Sequence, residues 1–495
     1  MSRKVKINAA DRDFFRKVSE AAFTNPFGED RNILDLKIAG SREEKNRQDL
    51  ISRVIRKVAD RVRGLDSEGK ADIRAYEGND LELVQTVFLF DIFHRHINDF
   101  DSLIREQLRT GDAPCPVPFA GDGLSALTRR GFSDEKALRF FAIFYQLRRA
   151  FYFINTSLIG QSPSMRTLRM HLWNSVFTHN IRWYDTYLWD RMEDFSTLLL
   201  GETGAGKGTV AASIGRSGFI PFDPRKGCFA GSFTRNFISL NLSQYHEALI
   251  ESELFGHKKG SFTGAVENHE GIFSRCTPHG SIFLDEIGDI SIPIQIKLLQ
   301  ILQERTFSPV GSHAKLRFHG RVIAATNRPL DRLMEQGKFR DDFFYRLCSD
   351  IITVPTLRQR IQEDPEELNV LLSHLIERLI GHPNEEVVSF VREAINRDLG
   401  RNYHWRGNVR ELEQAIRRIL LTRNYRGNVR TEKPDLRERL LKGLDTGSLD
   451  ADAVVRAYCC LLYQRHFTYE EVARRTGLDR RTVKKYILME EAGNS

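Results

Sequence analysis

Lys207 closes a run of small residues, Gly201-Glu202-Thr203-Gly204-Ala205-Gly206-Lys207, which follows the apolar triplet Leu198-Leu199-Leu200 and leads into helical sequence from Thr209. Strand, glycine loop and helix in that order let backbone N–H groups wrap phosphates. The lysine then reaches the β and γ oxygens, and the helix N-terminus favours their negative charge. The implied chemistry is the binding of a nucleoside triphosphate. The position after the lysine, usually a hydroxyl on magnesium, is Gly208, with Thr209 one step later, which weakens a direct hydroxyl ligand. A second apolar run, Ser281-Ile282-Phe283-Leu284, ends in Asp285-Glu286. An acid at the end of a buried strand can hold Mg2+, and the next can polarise an attacking water. Such a pair alone is commonly just solvated; following a P-loop at this distance it reads as functional.

Three further groups have open alternatives. Val322-Ile323-Ala324-Ala325-Thr326 delivers Asn327, whose amide can sense a γ-phosphate or orient the water, or can serve a turn. Arg340 and Arg346, six apart on an expected helix, either pair with Asp341 and Asp342 or reach a neighbouring subunit's γ-phosphate as arginine fingers; spacing alone does not choose. Between the two halves of the nucleotide site lies Gly260-Ser261-Phe262-Thr263-Gly264-Ala265. Its composition suits a hairpin tip with the ring folded into the core, or a swinging loop that holds Phe262 and Thr263 out to a partner.

The elements that position these groups follow from length and pattern. At 495 residues the chain exceeds one core, and about 150 residues per domain suggests three or so. A net charge of +8 favours an anionic partner but decides nothing without placement. Six scattered cysteines form neither a metal spacing nor a disulfide framework, so a reducing, cytoplasmic setting is expected. The N-terminus lacks the apolar core of a signal peptide, and the run Phe140 to Ile154 is too short and too charged, at Arg148 and Arg149, to cross a bilayer; no membrane partner is expected.

Up to about residue 155 the pattern is helical: Val84, Val87, Phe88, Ile92, Ile97, Phe100, Ile104 and Leu108 keep a three-to-four spacing, and another helix opens at Ser133. That second helix is aromatic nearly all round, which suits a deeply buried helix, a dimer seam or an effector pocket. No phospho-receiver pattern is present, and His94 and His96 are poorly spaced to share a metal on a helix. From 156 to 422, short apolar strands alternate with helices, as in an α/β sheet. Beyond Arg423 a punctuated linker runs to about Asp450. Val472, Ala473, Gly477, Leu478, Val483 and Tyr486 then sit where a helix-turn-helix needs packing residues. Its second helix would offer Arg480, Arg481, Thr482, Lys484 and Lys485 to double-stranded DNA. Between Arg474 and Lys485 six basic residues face Asp479 alone, the localisation that the whole-chain charge lacks.

Taken in order, the P-loop, Glu251-Ser252-Glu253-Leu254-Phe255-Gly256-His257, the hexapeptide, Phe283-Leu284-Asp285-Glu286-Ile287, Ala325-Thr326-Asn327, the 339–347 segment and Trp405-Arg406-Gly407-Asn408-Val409-Arg410-Glu411-Leu412 resemble the sigma-54-dependent transcription activators, or bacterial enhancer-binding proteins. The resemblance covers roughly residues 156 to 422. It implies an α/β AAA+ P-loop ATPase core with a helical lid, a mostly helical N-terminal regulatory domain and a C-terminal helix-turn-helix. The implied bounds are 1–155, 156–345 for the nucleotide-binding subdomain, 346–422 for the lid, 423–450 for the linker and 451–495 for the DNA-binding end. ATP and Mg2+ would be bound by residues 201–209 with Asp285 and Glu286 as the Walker B pair. Asn327 would be the first sensor and Arg410 the second, Arg340 and Arg346 the fingers, and Asn241 the residue that holds the catalytic glutamate at rest.

By the same resemblance the hexapeptide engages the sigma-54 RNA polymerase holoenzyme, with Ser261 where the family usually has Ala. The chain would act upstream of a promoter as a homo-oligomer, a hexamer with a dimeric resting state. A remodelling ATPase with no role in transcription is the alternative. Three stretches depart from the family. The segment between Met165 and the P-loop is long and holds Trp173, Trp183, Trp189, Tyr184 and Tyr187, which suit adenine packing, a subunit contact or a helix covering the core. Residues 217–236 read as an exposed loop, and Arg406 replaces the family's Pro, so a looser lid turn is expected.

Overall fold

Five short apolar runs form one parallel sheet, in spatial order Phe237–Asn241, Ser281–Asp285, Arg321–Thr326, Thr197–Leu200 and Asp350–Thr353. Parallel pairing requires helical crossovers, and with both faces covered the strands read as continuous apolar runs. Leu198, Leu199, Ile282, Phe283, Leu284, Val322, Ile323, Ala324 and Ala325 are accordingly buried. The carboxyl ends of three of these strands deliver the P-loop, Asp285 and Asn327 to one edge, where open α/β sheets bind ligands. The computed structural model describes residues 4–43, 46–400, 403–427, 436–466 and 468–493.

The sheet continues past the boundary expected at 345/346. Asp350–Thr353 pairs with Thr197–Leu200, Thr197 opposite Asp350, so the nucleotide-binding layer extends to residue 353. The lid is then helical: Leu357–Glu363, Glu366–Ile380, Glu385–Leu399 and Asn408–Thr422.

Nor does the chain divide at 155/156. Its two compact units are residues 1–423 and 424–495, and the helix Asp134–Ser157 runs across the expected boundary. Ser133 caps that helix, accepting from the Lys136 N–H at 3.4 Å. Phe140, Phe141, Phe144, Tyr145 and Phe153 on it are buried, which fits the buried-helix reading. Phe141, Tyr145 and Phe153 pack on residues 217–236, expected as an exposed loop. There Phe222–Asp223 and Cys228–Phe229 pair as two short antiparallel strands, and Phe229 stacks on Tyr145 with ring centres 4.1 Å apart. Ile220, Phe222, Phe229 and Phe233 join the same core as Phe15, Val58 and Val84 from the N-terminal helices. Turn residues dominate that segment, so its composition reported the hairpin and missed the burial. The periodic run 84–108 is two helices, Gly78–Arg95 and Ile97–Thr110, broken at His96.

The long segment before the P-loop begins with Pro163–Phe177, whose Met165, Leu168, Leu172, Trp173 and Val176 cover the sheet beside Leu199, Val210 and Phe283. Tyr184 is fully buried, whereas Trp183 and Tyr187 stand 54% and 66% exposed. The covering-helix reading accounts for the first group.

In the second unit a helix, Leu436–Asp445, occupies part of the stretch expected as linker, while residues 428–435 lie outside those described. Ala451–His466, Tyr469–Thr476 and Arg480–Gly493 follow, packed through Cys459, Cys460, Leu462, Val472, Val483 and Ile487. Gly477 adopts a left-handed φ of 69° between the last two, the glycine termination expected of a tight helical turn.

Candidate nucleotide site

A cleft of about 510 Å3 runs between the sheet edge and the lid. Thr203 to Thr209, Asn241, Asp285, Glu286 and Arg410 line one part of it, and Leu158, Ile159, Met165, Leu168, Leu371 and Leu375 line the rest. The polar part suits phosphates, and the apolar part suits a flat heterocycle.

Gly206, at φ 106°, starts the helix Lys207–Gly215. The Lys207 ammonium donates to the Gly201 and Glu202 carbonyls at 2.8 and 3.2 Å, folding back over its own loop. Burial lowers its pKa, opposed by the charges of Glu286 and Asp285. Gly204 cannot be replaced without disturbance: a Cβ there would lie 2.2 Å from the Gly407 carbonyl oxygen and 2.9 Å from the Arg410 Cβ. A Cβ on Gly208 would meet only the Phe283 ring, at 4.0 Å.

Burial raises the pKa of Asp285, and burial followed by the Asp285 charge raises that of Glu286. Two adjacent carboxylates disfavoured in their charged form, with Glu286 Oε2 buried and unpartnered, make a donor set that a divalent cation would relieve. Glu286 sits at φ 58°, a left-handed conformation unusual for a side chain of this size. Among the described residues no group of three or more His, Cys, Asp or Glu side chains could hold a metal unaided, so phosphate oxygens and water would have to complete the shell.

Asn327 donates from Nδ2 to the Thr203 hydroxyl at 2.7 Å, joining its strand end to the P-loop. Asn241 lies opposite Asp285 in register, but its Oδ1 accepts from the Ser243 N–H and hydroxyl at 3.0 and 2.7 Å. Those contacts use the amide oxygen, whereas a hold on a carboxylate would have to come from Nδ2; Glu286 Oε2 is buried without a partner.

One residue that sequence reasoning passed over joins lid to P-loop. Asn408, buried and at φ 52°, donates to Glu202 Oε2 at 3.0 Å and to the Thr203 carbonyl at 3.1 Å. Its Oδ1 accepts from the Leu357 N–H at 2.8 Å. The available signal was its place in Trp405 to Leu412, where attention went to Arg410. Arg406 has not loosened this turn: the Asn408 N–H reaches the Trp405 carbonyl at 2.7 Å, and the Gly407 N–H reaches Glu411 Oε2 at 2.8 Å.

The apolar end is closed by residues 158–162, tied to the lid through a buried ion pair. Glu367 accepts from the Gln161 N–H and from Arg360 Nε, both at 2.7 Å, while Arg360 Nη2 donates to the Ile159 carbonyl at 2.6 Å. None of Trp173, Trp183 or Trp189 lines the cleft.

Arg340 and Arg346 lie off their own cleft. Arg340 pairs with Asp342 at 2.6 Å, and Arg346 Nε donates to the Leu302 carbonyl at 3.0 Å. The hexapeptide is closed at its base, the Gly260 N–H reaching the Ala265 carbonyl at 2.8 Å, with Gly260 and Gly264 at φ 79° and 100°. Phe262 is 38% exposed and rests edge-on against His257 rather than in the core; Thr263 is exposed and Ala265 buried. Ser261 Oγ is buried without a partner. In the second unit Arg481, Lys484 and Lys485 are exposed and Thr482 is partly so, whereas Arg480 pairs with Glu470 at 2.9 Å.

Residues 187–353 match the Sigma-54 interaction domain, and residues 362–446 match the AAA+ ATPase lid domain. The Nif-specific regulatory protein of Azotobacter vinelandii is 38% identical over 275 residues, 54% of this chain and 45% of that protein. The transcriptional regulatory protein ZraR of Salmonella typhimurium is 38% identical over 270 residues, 54% of each chain. This chain thus spans about half the length of the curated relatives it matches. A crystal structure of NtrX from Brucella abortus aligns over 74% of this chain and 79% of its own at 20% identity with a TM-score of 0.39, too loosely to bear on the fold. With its parallel sheet, P-loop and helical lid, the stretch from residue 187 to 446 belongs to the family of sigma-54-interacting AAA+ ATPases found in transcription activators.

Proposed function

We propose that the chain is an ATP-driven transcription activator that binds upstream DNA, assembles as a ring and uses hydrolysis to remodel the sigma-54 polymerase complex. The observation that carries this is the convergence of Lys207, Asp285, Glu286 and Arg410 on one cleft, with Asn327 bonded to its P-loop, in a chain that also presents the Gly260–Ala265 loop. ATP lies with its base in the apolar end and its phosphates along residues 201–209. Lys207 leaves its own loop carbonyls for the β and γ oxygens, Glu286 accepts the proton of the attacking water, and Asn327 orients that water against the γ-phosphate. Mg2+, held by Asp285 and the phosphates, would neutralise charge on the transferring group. Arg410 reports the nucleotide to the lid. Arg340 and Arg346, set away from their own cleft, complete the site of the next subunit as fingers. Gly260 and Gly264 let Phe262 and Thr263 move against sigma-54. In the C-terminal unit Arg480, Arg481, Thr482, Lys484 and Lys485 meet DNA.

The test is reconstituted transcription from a sigma-54 promoter. Wild type should hydrolyse ATP and open the promoter, Thr263→Ala should hydrolyse without opening it, and Glu286→Gln should bind ATP without turnover. A wild type that hydrolyses ATP yet never activates would leave a remodelling ATPase with some other target.

A further inference from the structure

The P-loop helix has two ends, and only its first faces the cleft. Lys207–Gly215 is nine residues long, about 13 Å at the usual rise, so a shift at its far end is carried directly to the phosphate loop. The last carbonyls of a helix lack partners within it. Here the Ala212 and Ile214 carbonyls are taken by the Arg216 and Ser217 N–H groups, and the carbonyls just beyond Gly215 find their partners in side chains from the N-terminal segment. Arg149 donates from Nη1 to the Arg216 carbonyl at 2.6 Å and from Nη2 to the Gly218 carbonyl at 2.7 Å. Gln146, one turn earlier on the same helix Asp134–Ser157, donates to the Ser217 carbonyl at 3.0 Å. Tyr184 fixes Gln146 in turn, its hydroxyl donating to Gln146 Oε1 at 2.8 Å.

Arg149 is fully buried, and its guanidinium lies over the Tyr145 ring at 4.5 Å. Burial pushes its pKa down to about 10. A guanidinium held by carbonyls at a helix C-terminus also complements the negative end of the helix dipole. An apolar side chain would fill this space without the desolvation penalty of a charge. The fork of Arg149 is what the two carbonyls use.

We propose that Arg149 and Gln146 are positioning residues for the nucleotide site: from the N-terminal segment they fix the far end of the P-loop helix and so set the placement of Lys207 and its loop. The proposal rests on reading the cleft as an ATP site. It gives residues 1–155 a direct lever on nucleotide binding, since the helix that carries Arg149 is also packed into the N-terminal core.

Full-length Arg149→Met keeps an apolar stem and loses both donors; Arg149→Lys keeps the charge and can serve one carbonyl. Arg149→Met should weaken binding of a fluorescent ADP analogue and raise KM for ATP about five- to tenfold while kcat changes less than about twofold, the pattern of lost ground-state binding. Arg149→Lys should recover part of the loss, and Gln146→Met should shift the same quantities less. A folded Arg149→Met variant with wild-type affinity and KM overturns the proposal, as does a loss confined to thermal stability. If Arg149→Met fails to fold, Gln146→Met decides by the same measurements. A wild type that binds nucleotide without hydrolysing it sinks the motor reading alone, and the affinity comparison still decides the positioning role. A wild type that binds no nucleotide sinks both.

Discussion

Asn408 concentrates in one buried amide what a looser site would spread over several contacts: both donor hydrogens go to the P-loop and its oxygen goes to the start of the lid. Asn408→Ala strands the Leu357 N–H and the Thr203 carbonyl, at a cost of about 1–3 kcal/mol for buried groups left unpaired. A lower midpoint in denaturant together with weaker nucleotide binding is expected; an unchanged nucleotide affinity would show that lid and P-loop are held by other contacts. Glu286 gives a prediction of opposite sign. Its pKa is raised in the folded chain, first by burial and then by Asp285, so the native state binds that proton more tightly than the unfolded chain does. Stability contributed by this group therefore rises as pH falls through the raised value, and the ionised form is the disfavoured one at higher pH. Without nucleotide or magnesium, Glu286→Gln should melt above wild type at pH 8, with the gap closing as the pH is lowered through the carboxylate range. A wild type that melts higher at pH 8 would mean that the ionised carboxylate has a native partner worth more than its desolvation.

Two loops are bonded into one element. The Lys258 N–H reaches the Val310 carbonyl at 3.0 Å, and the Val310 N–H reaches the Gly256 carbonyl at 2.9 Å, lacing the segment before the hexapeptide to the hairpin between Thr306 and Arg317. Gly311 is the contact point: a Cβ there would lie 2.5 Å from the Ser261 Cβ, and its φ of 75° strains any larger residue. Gly311→Ala should leave ATP hydrolysis intact and impair promoter opening, and adding Ser261→Gly should restore part of it by relieving the clash while the backbone strain of roughly 1 kcal/mol remains. Equal promoter opening by wild type and Gly311→Ala would separate the two loops functionally. Elements whose signal is carried by their own residues were the legible ones: the P-loop turn, the strand ending at Asp285 and the Ser133 cap each declare themselves within a few residues. The burial of Phe222, Phe229 and Phe233 was illegible because their partners on the helix Asp134–Ser157 are about eighty residues away and their own neighbours are turn formers. The edge strand Asp350–Thr353 has only four residues, two of them polar, too few for a period to show. Asn241 kept its strand position opposite Asp285, and its amide oxygen caps the turn at Ser243, a local bond that spacing does not report.

At the scale of the molecule, a single subunit brings its phosphate loop, Asp285, Glu286 and Arg410 of the lid to its own cleft, while Arg340 and Arg346 lie away from it. Arg340 is held by Asp342 and Arg346 by the Leu302 carbonyl, and neither lines the cleft, so in the proposed ring their γ-phosphate must belong to a neighbour. That asymmetry can be read from mixtures. A Lys207→Ala subunit has a disabled cleft and intact fingers; an Arg346→Ala subunit has an intact cleft and a disabled finger. Neither should hydrolyse ATP alone. Mixed one to one, random rings would place an intact finger against an intact cleft at about a quarter of their interfaces, as a head-to-tail arrangement with fingers in trans requires, and turnover should recover to about that fraction of wild type. Recovery has to disappear on dilution below the assembly concentration, because it belongs to the interface. A mixture that stays inactive at concentrations where wild type turns over would put Arg346 in service of its own subunit, through a rearrangement that brings it off Leu302 and round to its own phosphates.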